Sequence, residues 1–108
     1  MVTGHGPRFV SIGDASGLAE GALKLVEVEG RDLVVVRIEG EVYALDNRCP
    51  HLGGPLSGGR VEGRAVVCPW HGWQWDAKTG RAVWPQVDWR AFTYPTRIEA
   101  GQILVRVA

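Results

Sequence analysis

Glycine and proline interrupt this sequence so often that a long helix has no room to form. Fifteen glycines and six prolines are scattered along the chain, and each disfavours a helix interior. Between them lie short runs rich in β-branched and apolar side chains, the pattern of strands joined by turns. We therefore predict an all-β fold. Asp14 could cap one helical turn at residues 14–20, but Gly17 and Gly21 weaken it.

The predicted strands follow these short runs. They cover residues 9–12, 22–28, 33–38, 41–45, 60–67, 73–76, 93–99 and 102–107. The strand at 60–67 is interrupted around Gly63, and a turn at residues 77–80 follows the strand at 73–76. Turns at 39–40 and 100–101 would create two hairpins. The core positions expected in the second hairpin are Ile98, Ile103, Val105 and Val107.

The length and charge of the chain limit its organisation and its partners. A chain of 108 residues has the size of one domain, so we predict a single domain over residues 1–108. Twelve basic and twelve acidic side chains cancel, which disfavours nucleic acid and anionic membranes as partners. No apolar run approaches the length of a membrane span, and residues 1–7 do not resemble a signal peptide. These features predict a cytoplasmic protein.

The unusual chemistry lies in two short loops, each with one cysteine and one histidine. The first cysteine loop (residues 47–55) contains Cys49 and His51, and the second cysteine loop (residues 67–73) contains Cys68 and His71. Sixteen residues separate His51 from Cys68. Strands on either side could bring the two loops together at one site.

Three kinds of site could use these residues. A disulfide between Cys49 and Cys68 would not require a histidine beside each cysteine. A zinc site of two cysteines and two histidines is the serious alternative, although zinc motifs usually pair like with like along the chain. A binuclear cluster would explain the mixed loops, because both cysteines could bind one metal ion and both histidines the other. Pro50, Pro69 and the adjoining glycines would shape the loops.

The two motifs resemble a known signature. Cys-Pro-His-Leu-Gly-Gly, followed by Cys-Pro-Trp-His-Gly-Trp, is similar to the two-loop signature of Rieske ferredoxins of the soluble, low-potential type that serves ring-hydroxylating dioxygenases. The resemblance implies small antiparallel sheets with a cluster-binding subdomain formed by the two loops. It also implies one Rieske-type [2Fe–2S] cluster with Cys49 and Cys68 as thiolate ligands and His51 and His71 as imidazole ligands. The outer imidazole nitrogens would face solvent and form the electron exit.

The same resemblance bears on the reduction potential. The Rieske proteins of respiratory complexes carry two further cysteines that crosslink the loops, and Gly54 and Trp70 occupy those positions here. They also tend to place a serine after the second His-Gly, where this chain has Trp73. Fewer donors to sulfur stabilise the reduced cluster less. We therefore expect a potential in the lower half of the Rieske range.

Several nearby residues have ordinary explanations. We expect Trp75, Trp84 and Trp89 to pack, either in the core or as braces for loops, and Trp70 and Trp73 to pack, shield the site or contact a partner. Surface solvation accounts for Arg48, Arg60 and Arg64 better than partner steering does. Gly58 and Gly59 are interpreted as ordinary loop residues.

The implied function is electron transfer. The expected partners are a flavin-dependent ferredoxin reductase and a terminal oxygenase, both docking near His51 and His71, with the carrier as a monomer. Catalytic oxygenation would need a mononuclear iron site with two further histidines, and only His5 is left over. One alternative is a small Rieske subunit of a larger reductase such as nitrite reductase. Another is a zinc-stapled structural module.

Overall fold

The structure, a computed structural model, describes residues 8–107. Strands and turns make up nearly all of this region, with short 3-10 turns at Ala15–Gly17 and Leu56–Gly58. The all-β prediction is confirmed. The helical turn expected at residues 14–20 is shorter than predicted, because it ends at Gly17. Within residues 8–107, no helix is long and apolar enough to cross a membrane.

Eleven strands are present in the described residues. In chain order they are β1 (Val10–Asp14), β2 (Leu23–Val28), β3 (Arg31–Ile38), β4 (Glu41–Asp46), β5 (Arg60–Glu62), β6 (Ala65–Val67), β7 (Gln74–Asp76), β8 (Ala82–Trp84), β9 (Thr93–Tyr94), β10 (Thr96–Glu99) and β11 (Gln102–Val105). They form three antiparallel sheets, ordered β1-β11-β10, β2-β3-β4-β9 and β5-β6-β7-β8. The predicted hairpins at 39–40 and 100–101 are confirmed.

Strand β3 is buried on both faces and lies between two cores. Successive strand residues point to opposite faces, and both sets are apolar here. One face contributes Val34 and Val36 to a core, here called the site core, that also contains both cysteines. The other face contributes Leu33 and Val35 to a second core, here called the outer core. One face of the sheet that contains β3 therefore packs against the cysteines of the two loops.

The sheets place the two cysteine loops between defined strand ends. The first loop begins directly after β4, and the second loop joins β6 to β7. Strands β5 and β6 form a tight hairpin around Gly63, as the interruption in residues 60–67 predicted. Because β6 is paired on both sides, the strand end that precedes Cys68 is fixed in position.

Two strand predictions are wrong. Residues 93–99 form two strands instead of one: β9 pairs with β4, whereas β10 pairs with β11. Pro95 lies between them, and its missing N–H cannot join a ladder, so the chain changes sheets there. The sequence prediction also missed β8, a three-residue strand in a segment that contains Pro85.

The core prediction for the second hairpin is wrong at one position. Ile103 and Val105 are buried in the outer core, and Val107 packs against it. Ile98 is 41% exposed. It lies on β10, an edge strand, whereas its cross-strand partner Ile103 lies on the central strand β11. Alternation along the sequence predicts a face but does not distinguish an edge from a centre.

Candidate metal centre

The fold brings the two predicted cysteines into one apolar environment. Cys49 is 1% exposed and Cys68 is 2% exposed, and both belong to the site core. Around them pack Leu56, Val66 and Trp75. Both cysteines are free thiols, so the disulfide alternative is wrong.

The electrostatics of this site favour the neutral form of the Cys68 thiol. The pKa of Cys68 is raised from its ordinary 9.0 to about 11: burial raises it most, the Trp70 amide lowers it, and the neighbouring Cys49 thiol adds a smaller increase. That amide donates a hydrogen bond to the Cys68 sulfur at 3.4 Å. A metal that binds Cys68 must therefore displace its proton and supply the compensating positive charge.

The two predicted histidines also lie together, but their surroundings differ. The ring centroids of His51 and His71 are 5.6 Å apart, with the rings nearly perpendicular at 81°. His71 is exposed, whereas His51 is partly buried. The Nδ1 atom of His51 is buried and has no hydrogen-bond partner. A buried nitrogen without a partner is costly in an apolar site, and coordination to a metal would satisfy it.

The arrangement of the four side chains separates single-ion sites from a binuclear one. Cysteine lies beside cysteine, and histidine lies beside histidine. Among residues 8–107, no three histidine, cysteine or acidic side chains converge on one point that would hold a single ion. A binuclear cluster needs one pair of ligands for each metal ion, which is the pairing that these side chains show. The donor set fits a [2Fe–2S] cluster.

Hydrogen bonds within the first cysteine loop hold it closed. The Cys49 amide donates to the carbonyl of Gly54 at 2.8 Å, and the Gly53 amide donates to the carbonyl of Cys49 at 2.7 Å. The Asn47 side-chain oxygen accepts from the Ser57 amide at 2.7 Å, and its carbonyl accepts from the Leu56 amide at the same distance. Sequence reasoning gave Asn47 no role. Its position just before the motif is the signal, because asparagine often hydrogen-bonds nearby backbone.

The second cysteine loop reverses direction through two left-handed residues. His71 has φ 71° and Gly72 has φ 74°. Histidine tolerates this region better than most residues, and glycine adopts it freely. The Cys68 amide donates to the carbonyl of Trp73 at 2.8 Å and closes the loop. This reversal places His71 at the exposed tip.

Two glycines allow close approach to the second cysteine loop: Gly54 in the first loop and Gly59 just before β5. A Cβ on Gly54 would lie 2.8 Å from the Trp70 ring, so the indole needs the bare backbone there. Gly54 and Trp70 are the positions that the resemblance assigned to the missing crosslink, and they are in contact. A Cβ on Gly59 would overlap the Val67 carbonyl oxygen, whereas Gly58 has ordinary room. The interpretation of Gly59 as an ordinary loop residue is therefore wrong.

The tryptophans divide differently from the prediction. Trp75 is fully buried, as expected. Trp84 is 53% exposed because β8 is an edge strand, so its side chain packs much less than predicted. Trp89 is 47% exposed and yet contacts Trp73, with ring centroids 5.2 Å apart. Trp73 lies on His51.

The three arginines near the site are surface residues. Arg60 pairs with Glu62, and Arg64 pairs with Glu39. Arg48 is exposed and takes part in none of the ion pairs found among residues 8–107. His5 lies outside the described residues.

Comparison with known proteins identifies the family. The Rieske [2Fe-2S] domain model matches residues 8–95. The chain belongs to the Rieske family. It is 40% identical over 88 residues to the ferredoxin component of the naphthalene 1,2-dioxygenase system of Pseudomonas aeruginosa, covering 82% of this chain and 85% of that protein. The Rieske identity accounts for the cofactor: the family holds a [2Fe–2S] cluster.

Solved Rieske structures have the same fold. The Sphingomonas yanoikuyae B1 ferredoxin aligns with a TM-score of 0.84 and 28% identity, over 94% of this chain and 100% of that one. A chain in the complex of reduced oxygenase and oxidized ferredoxin in carbazole 1,9a-dioxygenase aligns with a TM-score of 0.82 and 25% identity, over 89% of this chain and 99% of that one. The named ferredoxin components are electron-transfer proteins rather than catalytic oxygenases.

Proposed function

We propose that this protein is a ferredoxin that carries single electrons from a flavin-dependent ferredoxin reductase to a terminal oxygenase. The observation that carries the proposal is the pairing of like side chains where the two loops meet. Cys49 and Cys68 would bind one iron, and His51 and His71 the other. When bound, the cluster supplies the capacity to accept and release one electron.

The chain's own residues suit this task. The site core surrounds the cysteines with apolar side chains and excludes water from the sulfur end of the site. The Trp70 amide donates to the Cys68 sulfur and would stabilise negative charge there. His71 is exposed, so the imidazole end would be the point at which a partner approaches the cluster.

The reduction potential is proposed to lie in the lower half of the Rieske range, which spans roughly −150 to +300 mV. Contact between Gly54 and Trp70 supports the assignment of these positions to the missing crosslink. Trp73 cannot offer the hydroxyl that a serine there would supply. With fewer donors to sulfur, the added electron is less stabilised.

The docking surface is proposed to surround His51 and His71. Leu52 and Trp70 flank this tip and are exposed by 59% and 49%, and apolar and aromatic side chains are typical of the centre of an interface. A small contact of this kind suits a transient encounter between redox partners. The complex of oxygenase and ferredoxin in carbazole 1,9a-dioxygenase supports an oxygenase as one of these partners.

The organisation of the carrier is also proposed. Residues 1–108 would form one Rieske domain, since β3 and β4 contribute side chains to both cores. The protein would act as a cytoplasmic monomer, because a mobile carrier must reach two partners in turn with the same exposed tip.

The first experiment examines the isolated protein after expression with iron. A red-brown protein with two irons per chain and a Rieske-type paramagnetic signal after reduction would support the ligand assignment. Potentiometric titration then measures the potential, and size-exclusion chromatography measures the oligomeric state. A colourless protein with one zinc per chain would overturn the proposal.

The second experiment tests docking. Electron delivery from a flavin-dependent reductase through the carrier to an oxygenase is measured as a function of carrier concentration. Leu52→Ser should raise the carrier concentration needed for half-maximal rate, whereas Ile98→Ser, on the far sheet, should leave it unchanged. Equal effects of both variants would contradict docking at the tip.

A further inference from the structure

Trp73 covers one face of His51. The two ring centroids are 4.1 Å apart and the rings are nearly parallel at 12°. Trp73 is itself held from other directions by Trp75 at 5.7 Å and by Trp89 at 5.2 Å between ring centroids. The indole is thus braced by two further tryptophans and has little freedom to leave the imidazole.

The two imidazoles consequently have different environments. His71 is exposed and is absent from the aromatic stacks found among residues 8–107, apart from its edge contact with His51. His51 is partly buried, and its Nδ1 atom is both buried and without a partner. One imidazole is sheltered and held, whereas the other is open to water.

We propose that Trp73 is a positioning residue that fixes the ring plane of His51 and keeps water from its face, and thereby lowers the reduction potential of the cluster. This inference rests on the proposed function. Its physical basis is charge: an oxidised cluster with two ferric ions, two sulfides, two thiolates and two neutral imidazoles is neutral, so one added electron leaves it with a net negative charge. Water near the imidazole would stabilise that charge, and the indole excludes it.

A purely structural role is the competing explanation for Trp73. Packing alone would make Trp73 matter for stability but not for the potential of a protein that still binds its cluster. Trp73 is only partly buried, unlike the fully buried Trp75. The test therefore reads the potential and the paramagnetic spectrum of loaded protein, with iron content measured for each variant.

The decisive variants are Trp73→Leu and Trp73→Phe, with Trp84→Leu as the control. Trp84 is half exposed and takes part in none of the aromatic stacks found among residues 8–107. Trp73→Leu should raise the potential, with an increase in the reduction equilibrium constant of up to about tenfold, or about 59 mV for one electron. Its g values should also change. Trp73→Phe keeps an aromatic ring on His51 and should shift the potential by less than half as much, and Trp84→Leu should not shift it.

The reduction potentials of these variants distinguish the inference from its alternatives. An unchanged potential and spectrum in Trp73→Leu protein with two irons would overturn the inference. If that variant does not hold iron, Trp89→Leu is the alternative test, because it removes a contact that restrains Trp73 and keeps the Trp73 indole itself. A positive shift of the reduction potential in Trp89→Leu supports the inference, and an unchanged potential overturns it. Failure of the wild-type protein to show a Rieske signal would instead overturn the proposed function.

Discussion

The two cysteine loops provide the same pair of side chains but are stabilised in different ways. Polar contacts stabilise the first loop: three backbone amides and the side chain of Asn47 form hydrogen bonds that close the loop on itself. Aromatic contacts stabilise the second loop, where Trp70 packs on Gly54 and Trp73 stacks on His51. The loop also depends on left-handed backbone at His71 and Gly72. The first loop is therefore sensitive to loss of hydrogen bonds, and the second to loss of ring area or backbone freedom.

This difference has a physical origin in where each loop lies. The first loop leaves β4 beside β3, and unpaired amides near the buried sheet are costly. The second loop crosses the surface of the site core and ends at an exposed tip, where rings can cover apolar surface. The comparison predicts which substitutions each loop tolerates.

The largest effect should be loss of the cluster when a cysteine is replaced, and it should be the same in both loops. Cys49→Ser and Cys68→Ser should each abolish the cluster, since each removes half of the thiolate pair. Iron content and visible absorption of the purified variants measure this. A variant that retains two irons and the normal spectrum would contradict the assignment of that cysteine as a ligand.

The next largest effect should arise just before β5, where Gly59 packs against Val67 at the start of the second loop. Gly59→Ala would drive a Cβ into the Val67 carbonyl oxygen, and the backbone displacement should cost about 3 kcal/mol or more. Gly58→Ala meets only ordinary contacts and is the matched control. The temperature at which the cluster absorption bleaches should fall by more than about 10 °C for the first variant. Similar bleaching temperatures would refute the close contact.

Asn47→Ala tests the polar side of the comparison. It leaves the Ser57 amide without its acceptor and should reduce the free energy of unfolding by about 1–2 kcal/mol. Asn47→Asp keeps the acceptor oxygen and should retain most of the stability. The bleaching temperature compares the two, and a loss of stability in Asn47→Asp equal to that in Asn47→Ala would argue against this hydrogen bond.

Gly72→Ala should give an effect no larger than that of Asn47→Ala, and it acts through the backbone of the second loop. The site has open space for a methyl group, but φ is 74° there, and a left-handed alanine costs about 1–2 kcal/mol. Gly17→Ala, also in open space but without a positive φ, is the control and should be neutral or slightly stabilising. Equal bleaching temperatures for both variants would contradict a strained reversal at the second loop.

Much of this fold could be predicted from the sequence. Seven of the eight predicted strand segments agree with the structure. They follow from short apolar runs between glycines and prolines, because those two residues disfavour helix on local steric grounds. The ligand candidates followed from the Cys-x-His and Cys-x-x-His spacings and from their resemblance to a Rieske signature. These are local properties, which depend on neighbouring residues alone.

Other features depended on contacts between distant residues. Pro95 interrupts a strand, but only the sheets decide that its two sides pair with different partners. Ile98 and Trp84 alternate like core residues and yet lie on edge strands. Gly59 looks like any loop glycine until Val67 is packed against it.

The sequence by itself determined the class of fold and the chemistry of the four candidate ligands, because turn residues and metal-binding groups act over a few neighbouring positions. The tertiary structure alone decided that like candidate ligands lie side by side, that His51 is covered by Trp73 while His71 is open, and that Asn47 closes the first loop. Burial and stacking depend on residues far apart in the chain, and only the folded arrangement brings them into contact.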